Sequence, residues 1–285
     1  MILRKKNQKG RSSLRGYLLA ATLWVSGSFN LAQAATPADA FQQAEYLGQI
    51  VERLLESDLL EAKLIPDPDL SGSRPRHVLR LAVNAYENVQ FIRSMNGLSM
   101  EEAPKTRPEE VKPDDVVAVL EAAVKAALAL GPIYEVDLSF DKPARADKKT
   151  PDDVLARLRA VNDGLEKLGK PQPLPNDVYR IALGIKEQAK TLTKLKGLAV
   201  TAEAERTFVA TPADALESVV AFIKDLDSLS VQKPDYLLAG GVVFPPVPKK
   251  GEAIKPAAVL LASQYALADI YSLSVKLGHD KDLVM

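Results

Sequence analysis

Apolar residues in this chain recur at spacings of four and three, counted from a set of prolines. From Pro151, the residues 3, 7, 10, 14 and 17 positions on are Val154, Leu158, Val161, Leu165 and Leu168; from Pro37 they are Ala40, Ala44, Leu47, Val51 and Leu54. Pro75 gives Val78, Ala82, Ala85, Val89 and Ile92, and Pro175 gives Val178, Ala182, Ile185, Ala189 and Leu192. The series from Pro113, Pro212 and Pro256 behave alike, and of the 35 positions only Ser263 is not apolar. A 4-3-4-3 spacing is the apolar stripe of a helix facing partner helices. The pattern therefore predicts an all-α, up-and-down bundle of about seven long helices.

The prolines also mark where those helices begin. Three of the helices open with Thr-Pro-x-Asp, at Thr36, Thr150 and Thr211. Threonine at the N-cap offers its hydroxyl to an unpaired backbone N–H, proline at the next position lacks an N–H the helix cannot use there, and aspartate at N3 meets the positive end of the helix dipole. The paired acids Asp114-Asp115 and Asp152-Asp153 fall in such first turns, whereas Glu101-Glu102 and Glu109-Glu110 lie in a connector and read as solvated.

Successive prolines stand 38, 38, 38, 24, 37 and 44 residues apart, which is repeat-like. Residues 75–98 match 175–198 at an offset of 100, keeping Val78/Val178, Arg80/Arg180, Ala82/Ala182 and the pair Gly97-Leu98/Gly197-Leu198. The reading is a three-helix unit written twice, over 36–131 and 150–230, with a capping helix over 255–278. A solenoid of two short helices per 34 residues does not fit, because one long helix and one long loop fill each 38. Most connectors are long enough to run back along a helix and leave its direction open. Only "GKPQPL", 169–174, is short, and it is expected to force its two flanking helices to be antiparallel neighbours.

The first 34 residues read as an export signal. Arg4, Lys5, Lys6, Lys9, Arg11 and Arg15 form a basic run with no acid, 17–25 is a short apolar stretch, and Ala32-Gln33-Ala34 is a small-x-small cleavage motif. Cleavage after Ala34 is expected, giving a periplasmic or secreted protein with no membrane span after Val25. The whole chain has 37 basic and 37 acidic residues; losing six basic and no acidic ones leaves 31 against 37, a net charge of about −6. That balance argues against a nucleic-acid partner, which asks for a clustered basic surface. There is no cysteine, so an exported chain must be held by its core rather than by disulfides.

Groups for catalysis are few. The chain has two histidines, His77 in a first helical turn and His279 in the C-terminal tail, so a histidine-rich metal site and a Ser-His-Asp triad both lack material. "AGGVVFPP" lacks the spacing of a nucleotide-binding loop, and no cofactor or metal is expected. Arg80 and Arg180 fall opposite the apolar stripe and read as solvated side chains, or as directed toward another layer.

Two corresponding connectors, 131–149 and 231–254, carry Tyr134, Phe140, Tyr236 and Phe244. Their patches "IYEVDLSF" and "GGVVF" have the pattern of short extended segments that could pair with each other. The connectors either cover open ends of the bundle or form a binding surface. The leading expectation is an exported, non-enzymatic bundle acting as a binding or interaction module in the cell envelope, with a protein, peptide or small molecule as partner. A second reading is a small-ligand carrier or sensor, with a pocket where Ala82, Ala85, Ala123 and Ala127 leave room beside Tyr86. A third, a carboxylate-dependent hydrolase, requires two acids facing one cleft.

Overall fold

A computed structural model describes residues 34–66, 70–105, 110–169, 174–197, 211–249 and 251–278. The export-like leader ahead of Ala34, and His279, lie outside the described residues. Among the described residues there are seven α-helices and no strand: α1 (Pro37–Ser57), α2 (Pro75–Met95), α3 (Pro113–Leu128), α4 (Pro151–Lys167), α5 (Pro175–Leu195), α6 (Pro212–Gln232) and α7 (Pro256–Lys276). Each begins at one of the prolines of the repeat. The residue three after the N-cap accepts a hydrogen bond from the N-cap N–H in six of them, through Asp39, His77, Asp115, Asp153, Asp177 and Asp214. This is one half of a capping box, and in α4 and α6 the threonine hydroxyl completes the other half.

The all-α bundle expected from the stripe is present. The up-and-down alternation is not, because the long connectors carry the chain back to the end where the previous helix began. Ala35, just before α1, donates to Asp114 at the start of α3 (2.9 Å), Gln43 meets Glu121 midway (2.8 Å), and Ser57 at the end of α1 donates to the carbonyl of Tyr134 beyond α3. Helices α1 and α3 thus run parallel. The same sequence of contacts joins α2 to α4: Ser73 with Asp152 (2.7 Å) at the starts, Asn84 with Asn162 (3.0 Å) midway, and Met95 beside Gly169 at the ends. Lys149 over the Phe41 ring (4.1 Å) and Lys167 against the carbonyl of Glu61 (3.4 Å) align α4 with α1. Four helices therefore lie side by side, all pointing one way.

Helices α5, α6 and α7 form a second parallel group. Val178, Leu216 and Val259 pack together at their starts, and Leu192, Leu226 and Leu273 at their ends. The two groups run in opposite directions, since Lys276 at the end of α7 and Arg74 at the start of α2 line the same cleft. Connector length explains the arrangement. The five connectors within the groups have 17, 17, 22, 16 and 23 residues, and the one between α4 and α5, where direction reverses, has seven. Returning along a 21-residue helix of about 31 Å takes roughly ten extended residues, so only the seven-residue connector is too short to do so. Helix α4, which opens the second written copy, packs on α1 and α2, and α7 packs on α5, α6 and α2. Helices α4 and α5 therefore reverse direction across the short connector without the side-by-side packing expected of them.

The stripe is fully buried in α1, α2, α3, α4 and α7. In α5 and α6 it is only partly so, and Ala182 is exposed, because each of these two helices packs mainly against α7. Ser263, the one polar stripe residue, is wholly buried. Helix α7 corrects one expectation: it is long and apolar enough to cross a membrane, yet 94% of its apolar window is buried in the fold. Its apolarity is that of a helix surrounded by α2, α5 and α6.

Parallel packing gathers the positive ends of four helix dipoles at one end. The double acids divide the work there. Asp115 and Asp153 cap their own helices, whereas Asp114 and Asp152 accept from the backbone just ahead of neighbouring helices. The cap carboxylates feel this: Asp39 is held down at about 2, chiefly by Arg145 and Thr36, and Asp214 lies below its usual range through its bonds to Thr211.

Candidate functional site

Where α7 crosses α2, charged side chains are buried. His77 and Asp269 are completely enclosed and Arg76 nearly so. Arg76 Nε donates to Asp269 Oδ1 at 2.5 Å, and His77 Nε2 lies 2.9 Å from the same oxygen. The backbone N–H of Arg74 can only donate, and it points at His77 Nδ1 (3.0 Å). The imidazole proton therefore sits on Nε2 and is given to Asp269, so both ring nitrogens are committed. Burial holds His77 below the usual histidine range even though Asp269 pulls the other way. Tyr265 stacks on the imidazole at 4.4 Å, and burial together with the charge of Asp152 pushes its hydroxyl well up. A histidine with no free nitrogen cannot act as a general base, so this cluster is a clamp between the two helix groups.

Arg76 of the clamp also lines a cleft of about 990 Å³. Its walls are the starts of α2 and α3, the end of α7 and the connector segment 237–240. Arg74, Arg76, Lys112 and Lys276 supply four cations, against Glu110 and Asp115. Several of these cations hold the connector by its carbonyls. Arg74 Nε donates to Gly240 (2.9 Å), Arg76 Nη1 and Nη2 to Ala239 (2.8 Å) and Gly241 (2.6 Å), and Lys276 Nζ to Leu237 (2.6 Å). Gly240 is needed there, since its φ is +71° and a Cβ would lie 2.5 Å from Arg74 Nε.

With Arg76 fully engaged, donor capacity toward the cleft remains on Arg74 Nη1 and Nη2, on Lys112 Nζ and on Lys276. Asp115 accepts the N–H of Lys112 in its own helix cap (2.7 Å) and keeps its charge, so that with Glu110 it offsets two of the three cations on Arg74, Lys112 and Lys276 and leaves a net of one positive charge. The cleft can accept a group rich in hydrogen-bond acceptors and negative charge.

The residues singled out from the sequence are placed as follows. Tyr134 and Phe140 are half-buried against the first core; Phe140 meets Tyr46 edge-on at 5.6 Å, and burial raises the Tyr134 hydroxyl. Their connector is stretched along α1, with Phe140, Pro143 and Arg145 meeting Tyr46, Gln42 and Asp39 in turn. Eleven residue steps from 134 to 145 reach about 36 Å when extended, and the stretch of α1 between their anchors, Asp39 and Ser57, is about 27 Å long, so this segment is a strap that follows the helix with some slack. It is extended, but its partner is a helix and not the other connector. Tyr236 is half-buried under Lys196 and Lys233 at the ends of α5 and α6, while Phe244 is exposed. The four aromatics are thus not brought together. Tyr86 is 3% exposed and bonds the carbonyls of Glu101 and Glu102. It edges a separate cleft of about 440 Å³ with Phe91, Met100 and Arg180. Ala82, Ala85, Ala123 and Ala127 are fully enclosed in the first core.

Arg80 and Arg180, equal in the repeat, part company in the fold. The Arg180 side chain is 65% exposed, as a solvated arginine would be, but that of Arg80 is 5% exposed, turned toward the α7 layer. Its closest carboxylate, Glu87, is 3.8 Å away, and Nε and Nη1 have no partner among the described residues. Among the described residues no three His, Cys, Asp or Glu side chains are grouped to hold a metal.

The sequence reading missed the cleft cations. A signal was present: where the N-cap departs from threonine in the first group, it is Arg74 or Lys112, a poor cap and a cation at the wrong end of a helix. Both residues face the cleft. The chain matches no protein-family model, no curated protein and no solved structure.

Proposed function

We propose that this is an exported, non-enzymatic binding protein of the cell envelope that takes an acidic peptide segment in the cleft between its two helix groups. The observation that carries the reading is the set of uncommitted donors on Arg74, Lys112 and Lys276 around a cleft of about 990 Å³. Such a volume exceeds an inorganic ion, and Pro75, Val111 and Leu238 add apolar wall, which suits a peptide carrying both carboxylates and apolar side chains. The mature chain is acidic overall, so attraction would be local to the cleft and would weaken with salt. Export rests on the residues ahead of Ala34.

The test is calorimetric titration of the chain from Ala35 onward with a glutamate- and leucine-containing peptide and with its lysine counterpart. The glutamate peptide is expected to bind, at least tenfold more weakly to the variant carrying Lys112→Glu and Lys276→Glu. Equal binding of both peptides, or no effect of the charge reversal, contradicts the reading.

A further inference from the structure

We propose that removal of the leader creates a structural ion pair, in which the new α-ammonium of Ala35 sits on the carboxylate of Asp114 and fastens the start of α1 to the start of α3. The proposal rests on the export reading, and it turns the cleavage site into part of the fold.

Three observations place the group. Ala32-Gln33-Ala34 puts the scissile bond between Ala34 and Ala35, and Ala34 is exposed in non-helical chain. The N-cap of α1, Thr36, is extended (φ −117°, ψ 166°), so Ala35 stands just outside the helix. The nitrogen of Ala35 is already 2.9 Å from Asp114 Oδ1, a residue 79 positions away and in the first turn of another helix. Hydrolysis adds one water across the bond: Ala34 leaves as a carboxylate with the leader, and the nitrogen of Ala35 takes protons to become –NH3+. The nitrogen that had one hydrogen to give then has three, and a charge.

The surroundings favour that charge. A cation just ahead of a helix opposes the helix dipole, and an isolated ammonium there would weaken α1. Here the groups around it are Asp114 from α3, Asp39 from α1, and Arg145 with Asp147 from the connector. Arg145 bonds Asp39 (2.6 Å), Asp147 (3.1 Å) and the Thr36 hydroxyl (2.8 Å), which leaves Asp114 with no cation of its own among the described residues. Three carboxylates and one guanidinium carry −2 before cleavage and −1 after it. With the leader attached, the same nitrogen is a neutral amide and the pair is an ordinary hydrogen bond.

The test uses a chain that starts at Ala35, released from a fusion by a protease that leaves no extra residue. The α-amino pKa, read by NMR titration, is expected about half a unit above the ordinary 7.7–8.0. Asp114→Asn should return it to that range, and so should keeping Ala34, which moves the ammonium one residue away; unchanged far-ultraviolet circular dichroism confirms that both variants fold. An ordinary value in the unaltered chain, or a raised value indifferent to Asp114→Asn, overturns the ion pair. Intact mass of the protein recovered from exporting cells tests the other half. A start elsewhere than Ala35 overturns the processing claim and the export reading's cleavage site, while the titration of the engineered chain still decides the ion pair.

Discussion

Asp152, in the first turn of α4, accepts hydrogen bonds from the N–H and hydroxyl of Ser73, the residue before the N-cap of α2. It also accepts from the N–H of Gly72 (3.1 Å). One carboxylate thereby fixes where two parallel helices begin. Asp152→Ala should destabilise the fold by about 2 kcal/mol, because backbone donors to a charged acceptor are lost and Ser73 is buried. Equilibrium urea unfolding measures it, with Asp153→Ala, which removes the cap of α4 and a half-exposed ion pair with Lys149, expected to cost about 1 kcal/mol.

Asp269 balances two buried basic groups, Arg76 and His77. Asp269→Ala leaves an uncompensated guanidinium and an unpaired imidazole N–H between the helix groups, and should cost about 3–5 kcal/mol. Urea unfolding is again the measurement. A loss below about 1 kcal/mol would mean that the clamp opens to water in solution.

His77 gives the stability a definite pH dependence. Burial lowers its pKa in the folded chain, so the fold keeps it neutral while the unfolded chain takes up a proton below about 6.5. Proton binding to the unfolded state alone lowers stability as pH falls. Stability should therefore decline from pH 7 to pH 5, and His77→Gln, which keeps an acceptor and a donor, should flatten that slope. Asp39 adds a separate loss at lower pH: its folded value of about 2 against the ordinary 3.8 means stability disappears as pH falls from about 4 through 2.

Arg80 predicts the opposite sign of effect. Its guanidinium is buried, with two nitrogens that have no partner among the described residues, and replacing such a group by an apolar one of similar shape is often neutral or stabilising. Arg80→Met should leave stability unchanged or raise it by up to about 2 kcal/mol in urea unfolding. A loss of that size would show that Arg80 has a partner in solution.

How legible this fold was depends on the range of the interaction. Helix starts were readable because Thr-Pro-x-Asp acts within four residues, and the stripe was readable because a 3.6-residue period repeats over each helix. Direction was not, since it depends on where Arg145, Gln42 and Asp114 meet their partners about 80 to 110 positions away. The repeat misled in one respect: Arg80 and Arg180 are equivalent in sequence, but α2 is packed on α3 and α4 as well as α7, so its Arg80 face is covered, whereas α5 packs mainly on α7 alone and leaves Arg180 in solvent. The cleft cations went unnoticed because each is far from the others in the chain, although Arg74 and Lys112 in threonine's place were a visible exception.

The junction cleft exists because helices within each group run parallel, bringing the starts of α2 and α3 to the end of α7. Spin-label distances test that most directly, and the absence of native cysteine makes two introduced cysteines the only thiols. With labels at Glu56 and Lys167, near the ends of α1 and α4, parallel packing predicts a separation of about 20 Å or less. A separation beyond about 30 Å, one helix length, would place those ends at opposite poles and contradict the account.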